Sequence, residues 1–185
     1  MKTIYFITGN KGKFFEVKEK LKNLDITVVQ KNLGYPEVQG VSLKEVAGYG
    51  VDHIKKRFPH PFIIEDAGLF VDALEGFPGV YSKYVFFTIG CKGILKLLED
   101  KKRRTAIFKS VYAYSESNKK PLFFIGECIG TIANKERGEG GFGYDPIFIP
   151  NVVTKTFAEM STEEKNTFSH RGKALEEFIK FLKEK

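Results

Sequence analysis

The chain has 185 residues, of which 42% are hydrophobic, which is enough for one sizeable core and too short for two independent domains. We therefore expect a single domain over residues 1–185. The formal net charge of +7 favours an anionic partner, but Lys and Arg are scattered along the chain and interleaved with Asp and Glu. Charge alone leaves both a nucleotide and a nucleic acid open as partners.

Cysteine and histidine usage argues against a disulfide framework and against a zinc site. Cys91 and Cys128 lie far apart and outside any CxxC pattern, which is typical of buried apolar residues in a reducing compartment. The three histidines are dispersed, so any metal should be a hard ion held by carboxylates. The sequence shows no signal peptide and no apolar stretch near the roughly 18 to 20 residues that cross a bilayer. We expect a cytoplasmic protein with no membrane partner.

The chain begins with a predicted strand, a polar glycine loop and a helix. Residues 4–7 are apolar, residues 8–13 read Thr-Gly-Asn-Lys-Gly-Lys, and apolar residues recur at helical spacing from Phe14 to Leu24. Such a junction directs unpaired helix N–H groups and the positive end of the helix dipole to one point, where Lys13 adds a full charge. The loop favours a bound phosphate, although Gly and Asn also form ordinary turns. Its glycine-to-lysine spacing is too short for a Walker P-loop, and Phe14 stands where Ser or Thr would hold magnesium.

The next elements are a strand, a helix and a second strand. Residues 26–30 are predicted as a strand, and a capping box at residues 42–45 begins a helix that should extend to about residue 58. Residues 62–64 then read as a buried strand that ends in a tight turn at Glu65-Asp66-Ala67-Gly68. Acidic side chains at the end of a strand are well placed for a site in an α/β fold.

In the second half of the chain, the sequence predicts a helix over residues 88–99 and a last helix from about residue 173. Between them it predicts paired strands over 105–114 and 122–133, joined by a polar turn at 115–118. The inward residues of the two helices would be Ile94, Leu97 and Leu98 in the first, and Ala174, Leu175, Phe178, Ile179 and Leu182 in the second. The order of elements predicts an α/β fold, a single domain with a central mixed sheet flanked by helices and with two lobes and a cleft between them.

A glycine-rich stretch at residues 138–146 contains the spacing GxGxxG. It is not a dinucleotide motif, because a charged stretch precedes it and apolar residues 147–150 follow where a helix is required. A glycine loop with Phe142 and Tyr144 could instead approach a flat ligand closely and cover its face. A glycine-rich hairpin with a buried Phe is the alternative.

Basic residues gather just before the last helix. Lys165 lies on a short predicted helix capped by Ser161, and Ser169-His170-Arg171-Gly172 follows. Arg171 could donate two hydrogen bonds to a phosphate or to a purine carbonyl oxygen, whereas the alternative is a solvated helix entrance. Glu37 and Asp66, with substrate phosphates and water, would complete an octahedral magnesium site.

Six blocks occur in one order along almost the whole chain. They are Thr8-Gly9-Asn10-x-x-Lys13-x-x-Glu16, Pro36-Glu37-x-Gln39, Glu65-Asp66-x-Gly68-Leu69, Phe77-Pro78-Gly79-Val80-Tyr81-Ser82, Gly141-Phe142-Gly143-Tyr144-Asp145-Pro146 and Lys165-x-x-x-Ser169-His170-Arg171. Together these blocks resemble the inosine triphosphate pyrophosphatase family, also called Ham1-like or XTP/dITP pyrophosphatases.

The resemblance implies a homodimer with a long central mixed sheet, which uses Mg²⁺ to hydrolyse ITP, dITP and XTP to the monophosphate and pyrophosphate and so cleanses the nucleotide pool. It implies that Glu37 and Asp66 hold Mg²⁺ and that Asp66 is the base for the attacking water. The substrate-binding residues that it implies are Thr8, Gly9, Asn10, Lys11, Gly12 and Lys13 for the triphosphate, Ala67 through its backbone, Phe142, Gly143, Tyr144 and Asp145 for base and sugar, Lys165 for a further contact, and His170 and Arg171 for the base.

Three features depart from the family pattern. Ala67 replaces the usual Ser or Thr, Tyr144 replaces the more frequent Trp, and a helical Lys common in the family is absent near Gly50; Lys55, Lys56 or Lys83 would have to compensate for it.

Two other readings stay open on the residues alone. A nucleic-acid-binding module would use the net positive charge and the aromatic residues near Gly141. The chain has no cluster of basic residues, however, and we expect no nucleic-acid partner. A pyrophosphatase of modified pyrimidine nucleotides would share the chemistry without needing His170 and Arg171 as a purine reader.

Overall fold

The computed structural model describes residues 2–36, 38–116 and 119–184. Its strands are β1 Lys2–Ile7, β2 Ile26–Lys31, β3 Phe62–Val71, β4 Thr105–Ser115, β5 Leu122–Ile132 and β6 Phe148–Pro150. They form one sheet in the order β2-β1-β3-β4-β5-β6, in which β1 is parallel to β2 and β3 and the later neighbours are antiparallel. The predicted mixed sheet is confirmed, and so is the predicted hairpin, which is β4 and β5. The two lobes stay a prediction.

The described part of the chain has six α-helices: α1 Lys11–Leu21, α2 Leu43–Ile54, α3 Ser82–Thr88, α4 Gly90–Leu97, α5 Thr162–Asn166 and α6 His170–Glu184. Helices α1 and α6 pack against Ile63 and Tyr112 on one face. Helix α2 packs against Ile64 and Val111 on the other face. Since side chains alternate along a strand, successive residues of β3 point to opposite helical layers.

Strand β3 corrects the predicted turn at residues 65–68. All ten of its residues pair with β4, and Glu65 lies opposite Tyr112. A Cβ atom at Gly68 would collide with the backbone carbonyl oxygen of Gly79, so this glycine admits a passing chain and does not make a turn. Strand β1 pairs with β3 only at Phe62 and Ile63. The end of β1 therefore lies beside the middle of β3, next to both acids.

Several predicted helix boundaries were wrong. Helix α2 ends at Ile54, four residues before the predicted end. The helix expected over 88–99 is α4, which covers only residues 90–97, and the preceding α3 was not predicted. Gly90, where α4 begins, has φ +63°, a left-handed conformation that favours glycine. Ile94 and Leu98 are fully buried as predicted, but Leu97 is 45% exposed.

The last helix begins at His170, earlier than predicted. Four of its five predicted inward residues are buried, and Ile179 is partly buried against the same core. Within the predicted turn at 115–118, Ser115 belongs to β4, while residues 117 and 118 lie outside the described part.

Cys91 and Cys128 are buried and have free thiols, as expected; burial raises their pKa values to about 12 and about 11. Over residues 2–36, 38–116 and 119–184, no helix is long and apolar enough to cross a membrane.

Candidate active site

The site is built first around the junction of β1 and α1. Asn10 caps the helix: its side-chain oxygen accepts a hydrogen bond from the Lys13 N–H at 3.0 Å, and the Thr8 hydroxyl accepts one from the Asn10 N–H at 3.1 Å. Lys11, Gly12 and Lys13 thus form the first helical turn, where N–H groups have no partner inside the helix. This geometry suits an anion at the end of β1.

The glycine-rich loop meets this helix start. A Cβ atom at Gly12 would lie 2.6 Å from the Phe142 ring, so a larger residue would push that ring away. Two motifs 130 residues apart in sequence are therefore in contact, as the resemblance requires for a common site.

Lys13 does not stand alone at the junction. Its Nζ lies 2.6 Å from Glu65 Oε2 and also donates to the Glu65 backbone oxygen at 3.3 Å. Glu65 is fully buried, and the Lys13 side chain is 18% exposed. The Lys13 charge is thus held against β3 and is still partly exposed to solvent.

Arg171 and Lys165 are buried between carboxylates. Arg171 Nε donates to Glu65 Oε1 at 3.1 Å, and its Nη1 donates to Glu16 Oε2. Lys165 Nζ lies 2.7 Å from Glu16 Oε1 and 2.7 Å from Asp145 Oδ2. With Lys13 these residues form an alternating series of opposite charges, which we call the buried ion-pair chain: Asp145, Lys165, Glu16, Arg171, Glu65 and Lys13.

The buried ion-pair chain shifts the pKa values of its carboxylates. Burial alone would raise the pKa of Glu65, but Arg171 and Lys13 lower it to about 2. Burial likewise opposes charge at Glu16, but Arg171 and Lys165 lower its pKa. At Asp145, burial outweighs Lys165 and raises the pKa. Asp145 pairs with one cation of the series, whereas Glu16 and Glu65 each pair with two.

Phe142 lies over both buried cations. Its ring centroid is 5.0 Å from Lys165 Nζ and 5.1 Å from Arg171 Cζ, and its N–H donates to Asp145 Oδ2 at 2.8 Å. Gly143, with φ +64°, lets the loop turn beside it. The other predicted aromatic, Tyr144, is a core residue whose hydroxyl donates to the Ser82 carbonyl at 3.2 Å. Of the two aromatic residues expected to cover a flat ligand, Phe142 is partly exposed and Tyr144 is buried, so Phe142 is the ring still able to do so.

His170 occupies the core and not a polar pocket. Its ring stacks on Phe108 with centroids 4.5 Å apart and planes within 9°, and its buried Nδ1 has no hydrogen-bond partner in the described residues. Burial, with Arg171 and other nearby cations, lowers its pKa well below 6.5. The ring is therefore neutral at pH 7, and its proposed part in base recognition stays a prediction.

Asp66 and Ala67 follow Glu65 on β3. Asp66 is half-buried and points to the α2 face, opposite to Glu65, while the backbone of Ala67 pairs with Ser110. Glu37, the other expected Mg²⁺ ligand, lies outside the described residues. Tyr35, two residues before it, packs on the α2 face against Gly50, where a Cβ atom would come within 2.9 Å of its ring.

This packing explains why no side chain stands at Gly50. Of the Lys residues considered as substitutes, Lys55 is paired with Asp52 at the end of α2.

The donor chemistry fits magnesium. Among the described residues no group of three or more His, Cys, Asp or Glu could hold a metal. Mg²⁺ in nucleotide enzymes needs no such cage, because it keeps several waters and binds one or two carboxylates plus substrate phosphates. Asp66, on β3 near the end of β1, could supply one such carboxylate.

Glu16 and Glu65 were given no role by the sequence reasoning, although both lie inside the quoted blocks. Glu16 follows Lys13 by three residues, which places both on one face of α1. That spacing was the signal available for Glu16, whereas for Glu65 the available signal was its place beside Asp66.

Comparison with known proteins identifies the family. The sequence profile of the Ham1 family matches residues 4–181. The chain belongs to the Ham1 family. A dITP/XTP pyrophosphatase of Thermococcus kodakarensis is 52% identical over 179 residues, covering 97% of this chain and 96% of the relative. One from Pyrococcus horikoshii is also 52% identical, over 180 residues.

Solved Ham1 structures share the fold. The HAM1 protein from Coxiella burnetii has a TM-score of 0.86 at 34% identity, and the match covers 100% of both chains. The Staphylococcus aureus Ham1 protein has a TM-score of 0.84 at 31% identity, with 98% of both chains covered. The family suggested by the motifs is thereby confirmed, and this Ham1 chain has the mixed sheet that the resemblance implied.

Proposed function

We propose that this chain hydrolyses ITP, dITP and XTP to the monophosphate and pyrophosphate with Mg²⁺, in a cleft beyond the end of β1. Its class, a nucleoside triphosphate pyrophosphatase, follows from the Ham1 family and from relatives about half identical over nearly the whole chain. The observation that supports the proposal is the buried ion-pair chain, because it joins the start of α1, where we expect phosphate to bind, to two cations under one aromatic ring.

The phosphate end would work through charge and a positioned water. When bound, Mg²⁺ neutralises charge that develops on the phosphates. Asp66 would orient the attacking water and accept its proton. Lys13 and the N–H groups at the start of α1 would stabilise the pyrophosphate leaving group.

Arg171 would select the purine base by the positions of its hydrogen-bond donors and acceptors. Hypoxanthine and xanthine present an acceptor at O6 and a donor at N1, and adenine presents the reverse. A guanidinium has five N–H donors, and Arg171 uses two of them on Glu65 and Glu16, which leaves others for O6. Adenine would then place a donor against a donor, a mismatch that costs on the order of 1–3 kcal/mol.

The direct test is a substrate profile. Pyrophosphate release is measured from ITP, dITP, XTP, the standard triphosphates and modified pyrimidine triphosphates across a Mg²⁺ titration. Preference for ITP and XTP with dependence on Mg²⁺ is expected. Equal turnover of all triphosphates, or preference for modified pyrimidines, would contradict the proposal.

Two variants test Asp66 as the general base and Glu37 as a Mg²⁺ ligand. Asp66→Asn should lower turnover ~10²-fold or more without unfolding the chain, whereas Asp52→Asn, on the exposed side of α2, should leave it unchanged. Retention of more than about a tenth of wild-type turnover would remove Asp66 from the role of base. Glu37→Gln should raise the Mg²⁺ requirement; an unchanged titration would show that Glu37 is not a ligand.

We also propose a homodimer, with its contact at α3. Tyr81, Tyr84 and Phe87 recur at a spacing of three residues, and Tyr84 and Phe87 are 71% and 76% exposed; large exposed apolar side chains in one patch mark an interaction site. Sedimentation equilibrium should give twice the mass of one chain, and Phe87→Lys should shift it to the monomer. A cytoplasmic location goes with the proposal, because that compartment holds the nucleoside triphosphates.

A further inference from the structure

Glu65 touches both halves of the proposed site. Its Oε2 pairs with Lys13 at 2.6 Å and its Oε1 accepts from Arg171 Nε at 3.1 Å. Ser110, on β4, donates to the same Oε1 at 2.7 Å. One carboxylate, fully buried on a strand paired along its whole length, is thus shared between the phosphate side and the base side.

We propose that Glu65 is a positioning residue that holds Lys13 and Arg171 in one geometry and thereby couples triphosphate binding to purine selection; this rests on the proposed function. Both cations are long, flexible side chains whose placement must be exact to within about 1 Å for efficient catalysis. Without the shared carboxylate they would repel each other, and each would lose the contact that fixes its direction.

Stability alone is a weak reason for this arrangement. Replacing a buried ion pair by apolar residues of similar volume is often neutral or stabilising, and the β3 residues around Glu65 show that this strand tolerates apolar side chains: Ile63 and Ile64 are fully buried. A carboxylate that bonds to two cations, and is itself oriented by Ser110, is better explained by the need to orient those cations.

The test uses Glu65→Gln in the full chain, which keeps the shape and removes the charge. We expect pyrophosphate binding, measured by calorimetry in magnesium-free buffer, to weaken about 10-fold because Lys13 is displaced. The ratio of kcat/KM for ITP over ATP should fall about 10- to 100-fold because Arg171 is displaced. Glu127→Gln is the matched control: it removes an ion pair with Lys109 on the same sheet, with a side chain 45% exposed, and should change neither quantity.

A purely structural role would lower Tm but leave both the pyrophosphate affinity and the ITP/ATP ratio unchanged when measured well below Tm. The inference requires both losses, so a Glu65→Gln protein that shows one loss or none overturns it. If Glu65→Gln does not fold, Ser110→Ala takes its place, because it keeps the charge and removes the orienting hydroxyl; it should show the same two losses, each about 3-fold.

The proposed function can fail separately. A wild-type chain that shows no preference for ITP and XTP would refute that function, and the pyrophosphate-binding comparison would then decide the role of Glu65 at Lys13 without any turnover.

Discussion

Lys165 offers the sharpest test of the buried ion-pair chain. Its Nζ lies 2.7 Å from both Glu16 Oε1 and Asp145 Oδ2, and the side chains of all three residues are at most 6% exposed. Lys165→Met keeps much of the side-chain volume and removes the charge. Glu16 would keep Arg171 as a partner, but Asp145 would keep, among the described residues, only the N–H of Phe142.

Breaking a buried ion pair by removing one partner costs about 3–5 kcal/mol, because it leaves an uncompensated buried charge. We expect that cost for Lys165→Met in the free energy of unfolding at pH 7. Most of it should arise at Asp145, whose pKa burial already raises even with Lys165 present. Adding Asp145→Asn removes the stranded charge, so the double variant should recover about 1–3 kcal/mol of the loss.

The assay is urea unfolding of the wild type, both single variants and the double variant, with Lys155→Met as control. Lys155 pairs with Glu164 at 3.2 Å and is 54% exposed, and loss of such a surface pair should cost less than about 1 kcal/mol. A cost below about 1 kcal/mol for Lys165→Met, or a double variant whose loss equals the sum of the single losses, would refute the reasoning.

Three further predictions concern the base, the backbone and pH. Arg171→Ala should contract the ITP/ATP preference by about 1–3 kcal/mol, measured as the ratio of kcat/KM; an unchanged ratio with uniformly lower activity would move Arg171 to the phosphate side. Gly68→Ala should lower the free energy of unfolding by several kcal/mol, because the new Cβ atom would strike the backbone of Gly79. Gly48→Ala is the contrast: its Cβ atom would lie 3.5 Å from the nearest side chain, and the variant should gain about 0.5–1 kcal/mol of helix stability. Since the pKa of His170 is lowered in the folded state, only the unfolded chain takes up that proton, and the free energy of unfolding of the wild type should fall by up to about 1.4 kcal/mol per pH unit below pH 6.5. Urea unfolding from pH 7 to 5 should show a flatter profile for His170→Phe. Parallel profiles of the two proteins would refute this.

Local signals in the sequence predicted much of the fold. The start of α1, the capped start of α2 and the β4–β5 hairpin depend on contacts a few residues apart. The turn expected at residues 65–68 was wrong because these residues pair with residues 109–112 of β4, which come more than forty positions later. No local pattern reveals that such a partner strand will continue the pairing through Gly68.

For the candidate site, too, local motifs could be predicted from the sequence and long-range contacts could not. Motifs predicted that Lys13, Lys165 and Arg171 belong together, but they did not predict that each is already paired. Those pairs join residues 52, 149 and 106 positions apart, which only the packing of α1, α5 and α6 on the sheet brings into contact. The burial of His170 was missed for the same reason, because Phe108 comes from β4.

Glu65 and Asp66 show how strand geometry can divide labour between two neighbouring acids. A strand alternates its side chains, so Glu65 points to the α1 and α6 layer and joins the buried cations, while Asp66 points to the α2 layer, where Tyr35 and the segment leading to Glu37 pass. One acid can thus orient cations while the next keeps its proposed role with metal and water, and the two carboxylates do not compete for the same partner. A slip of β3 by one residue against β4 would exchange the two faces. The full ten-residue pairing of β3 therefore secures the site as well as the fold.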